Sequence, residues 1–335
     1  MDRTAFAFVF AASALVSPAL AQDLVVDDPT ATWTFALEND GYFGDDDNYT
    51  SGLRLGYLSG NKELDAVGRF IARRLMKLDM DPSQMRIRRG ISIAQEIYTP
   101  RDLTAAEPLP DQHPYAGYLY GLFTSVIEQP ERVDQIAIEI GIVGPEALGQ
   151  ESQDLIHNTT GRELAQGWDN QIETTLGFNV NYDRQRRIAH SGEVAGLAWD
   201  CIGNFGLSAG TVKTAARIGG NVRLGSNLSG SFGPPRVRPS TAGSGYFIPD
   251  GRKSWYVFAG GQVEAVAHNI FLDNAIGRDE GPDVGSQTLV SDAQAGLAVQ
   301  LGASQIAFTY VLRTEEFDTQ EGSQRFGSLS ISRRF

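Results

Sequence analysis

Gln153 and His157 stand four residues apart in PEALGQESQDLIHNTTGRELAQGWDN, Pro145 to Asn170, the one clearly helix-like insert in a chain that otherwise alternates like β-strand. That spacing puts both side chains on one face of a helix. At roughly 100° per residue, Leu148 and Leu155 share one side, and Gln150, Gln153 and His157 lie opposite. Histidine exchanges protons near neutral pH, so an ordered helix carrying it offers a general base for water. The same pattern also fits a solvated polar face on which the histidine is incidental.

Oxygen-rich residues gather earlier in the chain. Glu38-Asn39-Asp40 is followed by Asp45, Asp46 and Asp47, and hard cations such as Ca²⁺ take several carboxylate, amide and carbonyl oxygens. The glycine and terminal glutamate of an EF-hand loop are missing. Composition alone therefore makes this a solvated acidic loop, with a cation site as the alternative. The one G-x-S-x-G spacing, Gly206 to Gly210, has expected strands on both sides rather than the strand-to-helix turn of a nucleophile elbow, and Ser51 in YTSG reads as the start of a strand. His113 in a Pro-rich loop, His190 near a turn and His268 at a strand end read as structural or exposed. His157 is thus the best base candidate.

Other features bound what can position these residues. Residues 1–21 carry Arg3, an apolar run and Pro18-Ala19-Leu20-Ala21 before Gln22. They read as a secretory signal, leaving 22–335 as a single domain outside the cytoplasm. No later run reaches the ~20 apolar residues of a membrane helix. Cys201 is the one cysteine, so packing and backbone pairing replace a disulfide framework. A net charge of −13 argues against nucleic acid as a partner. With 37 glycines and 10% aromatic residues, the composition suits the turns and interfacial girdles of a β-barrel.

Period-two alternation runs along most of the chain. Thr32 to Asn39 places Trp33, Phe35 and Leu37 on one face, and Tyr49 to Ser59 does the same with Leu53, Leu55 and Tyr57. Further strands are expected near 88–97, 116–128, 133–143, 171–184, 188–203, 212–225, 254–267, 287–301, 304–316 and 325–335, twelve in all. Residues 60–87 break the rhythm with a short amphipathic helix, Val67, Phe70, Ile71 and Leu75 on its apolar side. The last strand, RFGSLSISRRF, ends on Phe335, resembling the terminal signal of bacterial outer-membrane barrels. In lipid every backbone polar group must pair internally, which an open sheet cannot achieve and a closed one does. The expected fold is all-β: a closed antiparallel transmembrane barrel of about twelve strands, with a short helix in an extracellular loop. Strand parity sends the loops 40–48, 98–115 and 144–170 to the outer rim. It leaves 60–87 and 226–253 as unusually long periplasmic connectors.

Several segments together resemble a known family. Glu38-Asn39-Asp40, Tyr49-Thr50-Ser51-Gly52, Ile97-Tyr98-Thr99-Pro100, Pro114-Tyr115-Ala116-Gly117, Gln153-x-x-x-His157, Gly167-Trp168-Asp169-Asn170-Gln171, Asn269 to Asp273 and Phe326 to Ser330 look, in order and spacing, like the outer-membrane lipid A 3′-O-deacylases of LpxR type. The resemblance implies a Ca²⁺-dependent ester hydrolase in the bacterial outer membrane. It would remove the 3′-acyloxyacyl group of lipid A, part of lipopolysaccharide, as a monomer. Carried over by position, His157 activates water with Gln153 beside it, Asn39 lines the site, and Asp40, Thr50 and Glu163 serve the calcium. Ser51 stands where the family pattern has asparagine, and His113 where arginine precedes Pro-Tyr-Ala-Gly. The cation facing the substrate phosphate then falls to Arg54 or Arg101.

Two other functions fit a barrel. A barrel phospholipase needs a serine nucleophile beside a histidine, and a porin-like or structural barrel needs neither.

Overall fold

The computed structural model describes residues 25–41, 48–76, 84–237, 245–277 and 284–335. The expected signal at 1–21 and Asp45, Asp46 and Asp47 lie outside the described residues. The barrel strands are β1 (Thr32–Asn39), β2 (Asn48–Leu58), β3 (Arg86–Thr99), β4 (Ala116–Gln129), β5 (Arg132–Val143), β6 (Thr175–Val194), β7 (Leu197–Gly210), β8 (Lys213–Gly225), β9 (Ser254–Asn269), β10 (Leu289–Leu301), β11 (Ser304–Arg313) and β12 (Gln324–Arg334). Each pairs antiparallel with its sequence neighbour. β12 closes the ring on β1, from Arg334 opposite Thr32 to Gly327 opposite Asn39. A two-residue strand, Lys62–Glu63, is a spur on β3 outside the closed ring of twelve.

Alternation decides which side chains meet which medium. Trp33, Phe35, Leu55, Ile91, Ile93, Phe123 and Ile140 are exposed on the outer surface, whereas Arg88, Glu96, Glu139 and Arg223 are buried within. An apolar belt around a polar bore is what lipid selects in a barrel. No described helix is long and apolar enough to cross a membrane.

Three elements depart from the sequence expectation. The polar run Asp183 to Arg187 suggests a break between two strands, but β6 continues to Val194 and turns at Ala195–Gly196, both with positive φ (52° and 77°). The arginines belong to the wall: Arg184 pairs with Asp134 at 2.8 Å and Arg187 with Asp200 at 3.0 Å. The second departure is the helix. Asp65 caps α1 (Ala66–Phe70) by accepting from the Gly68 N–H, and that bond holds its carboxyl below the ordinary aspartate range. A wider turn, Ile71–Leu75, follows. Leu64, Ile71, Ala72 and Met76 cover Ile87 and Ile127 on the barrel wall, while Val67 and Phe70 are exposed rather than packed.

The third concerns 226–253, whose described residues, 226–237 and 245–253, enter the bore instead of hanging outside it. Phe232, Arg236, Val237, Tyr246 and Phe247 are buried. Arginines of the wall stack on its aromatic rings, Arg88 over Tyr246 at 4.4 Å and Arg187 over Phe232 at 4.9 Å. A lumen crowded with guanidiniums thus accepts an aromatic segment through cation–π contact.

Candidate active site

The longest insert, between β5 and β6, begins with a turn at Pro145–Ala147 and a left-handed Leu148 (φ 58°), then forms α2 (Gly149–Thr160), which ends at a left-handed Gly161. Its bed is made from glycines and aromatics. A Cβ on Gly149 would lie 2.9 Å from Trp168 and 3.0 Å from Gly117 Cα, so backbone meets ring and strand with no room for a side chain. Trp168 packs on Tyr115 with ring centroids 5.0 Å apart. Gln95 Nε2 donates to the carbonyls of Ala147 (2.6 Å) and Leu148 (3.0 Å). Glu146 accepts from the Thr174 hydroxyl, joining the start of the insert to its end and holding the Glu146 carboxyl below the ordinary range.

α2 is inverted relative to a helix on a water-soluble core. Gln153 and His157 are only 2% and 3% exposed, whereas Leu155 is 66% exposed and Leu148 also faces outward. The polar stripe therefore faces the protein, which removes the reading of an incidental solvated histidine. Beneath it lies a cleft of ≈ 150 Å³ lined by Asn39, Thr50, Gln153 and His157, with Ile97 and Ile156 as apolar walls.

Hydrogen bonding fixes which atom each side chain presents. Trp168 Nε1 donates at 2.8 Å to Gln153, which settles that amide with Oε1 toward the indole. Gln153 Nε2, a buried donor, has no partner among the described residues. His157 Nδ1 lies 2.5 Å from the Glu163 carbonyl. A carbonyl only accepts, so Nδ1 carries the proton and Nε2 is the basic nitrogen. Asn39 Nδ2 donates to the Thr50 carbonyl at 3.0 Å, turning Oδ1 the other way. Gly41 leaves the space there: a Cβ would lie 2.5 Å from Asn39 Oδ1 and 3.0 Å from Arg162 Nη2.

Thr50 owes its place to a β-bulge. The β2–β3 register jumps between Tyr49 and Ser51, leaving Thr50 unpaired in the ladder, and bulges re-aim side chains in this way. Its hydroxyl sits 2.6 Å from that of Thr99. Asp40 is fully buried and its N–H donates to the Thr50 carbonyl. Among the described residues no cluster of three His, Cys, Asp or Glu forms. The donors on this wall are instead a carboxylate, an amide oxygen and a hydroxyl, an oxygen set that suits a hard cation.

Of the residues singled out from the sequence, Asn39, Thr50, Gln153 and His157 converge on the cleft, with Asp40 adjoining. Glu163 has an exposed side chain and meets the site through its carbonyl. Arg54 donates to the Arg236 carbonyl and to Ser92 in the bore, and Arg101 pairs with Glu321 at the surface, so neither lines the cleft. Arg162 does, and so does Ser51. Arg162 follows the helix-ending Gly161, where helical periodicity stops, so spacing does not reveal it. His113 stacks on Tyr98 at 5.1 Å, a packing role.

Comparison with known proteins gives one family and, among solved structures, a shared fold. The family model described as "Outer membrane protein LpxR" matches residues 7–335. Among solved structures, LpxR from Salmonella typhimurium aligns with a TM-score of 0.74 at 18% identity, covering 91% of this chain and 100% of that one. The β-domain of the Bordetella autotransporter BrkA aligns with a TM-score of 0.43 at 9% identity, covering 91% and 98%. No curated protein sequence matches.

Proposed function

Because the chain belongs to the LpxR family of outer-membrane proteins, we propose that it is a Ca²⁺-dependent lipid A 3′-O-deacylase whose cleft opens at the extracellular rim. One observation carries the reading: α2 buries Gln153 and His157 over an oxygen-lined cleft while turning Leu148 and Leu155 outward. A helix at the rim of a membrane barrel with its apolar face outward meets acyl chains rather than water.

The residues divide the work of ester hydrolysis. His157 Nε2 takes a proton from water as the water oxygen bonds to the ester carbonyl carbon. Gln153 Nε2 donates to the oxyanion that forms. As the carbon–oxygen bond to the sugar breaks, His157 returns the proton to the leaving alkoxide, giving a free hydroxyl and a fatty acid. The Glu163 carbonyl holds the imidazole in the tautomer this requires. Asn39 Oδ1, Asp40 and Thr50 are the residues that would hold the calcium, which when bound supplies positive charge to polarise the ester carbonyl.

The test is mass spectrometry of lipid A extracted from cells expressing the protein and its variants with Ca²⁺ present. Wild type is expected to lose the 3′-acyloxyacyl mass, and His157→Ala to slow the loss by about 10²- to 10⁴-fold. Unchanged lipid A with wild type defeats the deacylase reading, and full activity of His157→Ala defeats its base. Ser51 lines the same cleft, so Ser51→Ala belongs in the series. Loss as deep as that of His157→Ala would make serine the nucleophile in place of water.

A further inference from the structure

We propose that Arg236, carried up the bore by the segment between β8 and β9, is a positioning residue for the Asn39–Asp40–Thr50 wall, an inference that rests on the assignment of that wall to the active site. A hairpin of a few residues would suffice to join two neighbouring strands. Here 28 residues intervene between Gly225 and Ser254, and their described part reaches β1. Arg236 Nε donates at 3.0 Å, and the Val237 N–H at 3.3 Å, to Glu38 Oε1. Glu38 Oε2 accepts from the Tyr49 hydroxyl at 2.9 Å, and the Tyr49 carbonyl accepts from Gln324 at 3.1 Å. The far side of Arg236 is held too. Its carbonyl accepts from Arg54, and its guanidinium lies over the Phe326 ring at 5.3 Å.

Glu38 and Tyr49 each immediately precede a residue of the cleft, Asn39 and Thr50. Along β1 successive side chains point to opposite faces, so pinning Glu38 inward fixes the direction of Asn39, and holding Tyr49 anchors the residue from which the bulge departs. The bulge at Thr50 makes this support matter, because a residue without ladder partners is not oriented by the sheet alone. Gly52 shows how closely the parts fit: a Cβ there would lie 2.0 Å from the Tyr49 hydroxyl and 3.0 Å from Val237 Cγ1. The Arg236–Glu38 pair, with both residues buried, thus ties the bore segment to the two strands that carry the oxygen ligands.

The experiment compares wild type with Arg236→Gln and Arg236→Lys, each confirmed as a folded barrel by heat-modifiable electrophoretic migration. It reads deacylation kinetics on purified lipid A and amide hydrogen exchange by mass spectrometry. Arg236→Gln is expected to lower kcat by about 10²-fold with little change in KM, and to speed exchange at Asn39–Gly41 but not in β6–β8. Arg236→Lys, which keeps a charged donor, is expected to recover part of both. Unaltered kcat and unaltered exchange at Asn39–Gly41 overturn the proposal, as does exchange that rises equally on all strands, since that is general loss of stability. If wild type does not deacylate lipid A, the functional reading falls, and the exchange measurement still decides whether Arg236 orders this wall. If Arg236→Gln does not fold, Tyr49→Phe removes a single hydroxyl from the same carboxylate and is judged by the same two measurements.

Discussion

At the scale of the residue, the most informative atom is Gln153 Nε2. The indole N–H of Trp168 can only donate, so it forces the amide oxygen toward itself and leaves a buried donor on the cleft side. Gln153→Glu keeps the size and the bond to Trp168 but replaces that donor with an acceptor. It is expected to lower kcat by about 10²- to 10³-fold, measured on purified lipid A, because an oxyanion then meets a carboxylate. A variant within twofold of wild type removes Gln153 from the chemistry. The pair itself is legible in the sequence, since i and i+4 on any helix share a face. The cation of the cleft is not: Arg54 and Arg101 are close in sequence to the relevant motifs, yet one is held in the bore and the other by Glu321. Arg162 reaches the cleft only because the chain reverses at Gly161.

At the scale of the element, α2 is placed by contacts that no helical pattern encodes. Gly117 from Pro-Tyr-Ala-Gly, Gly149 at the helix start and Trp168 from Gly-Trp-Asp-Asn form one close-packed junction. Gly149→Val puts a branched side chain against the indole and the backbone of β4. Because the barrel ladder is untouched, this variant is expected to migrate as a folded barrel while losing about 10²-fold in kcat through displaced catalytic groups. Retained activity would show that the bed does not position the helix. The strands themselves are legible from period-two alternation, β1 to the residue. The β6–β7 turn is not, because a charged run marks a loop in a soluble protein and the wall of a polar bore here.

At the scale of the whole molecule, the bore is crossed by charge. Arg88 donates to Asp28 at 2.7 Å and pairs with Glu128, while Arg223 and Arg187 share Asp200 at 2.8 and 3.0 Å. The described part of 226–253 adds the buried Arg236 to the lumen and packs Phe232 and Phe247 against Arg187 and Arg334. Such buried, mutually hydrogen-bonded charges are costly to separate, so they plug the lumen at their level, although a cavity lined by Glu96, Glu139, Arg217 and Glu264 remains within the barrel. In planar bilayers the purified protein is expected to show no stable open-pore conductance. Persistent stepwise currents of porin type would overturn the plugged-lumen view.

The sequence by itself determined the barrel, the near-complete strand set and the pair Gln153–His157. These follow from local periodicities, two for a strand and 3.6 for a helix, imposed by backbone geometry on whichever side chains face lipid or protein. Only the tertiary structure decided that the polar face of α2 is the buried one and that Glu163 contributes a carbonyl. It alone placed Arg162 rather than Arg54 or Arg101 at the cleft and folded the long connector up the bore to Glu38. Each of these depends on contacts between residues distant in the chain, and a contact of that kind leaves no period in the sequence to read.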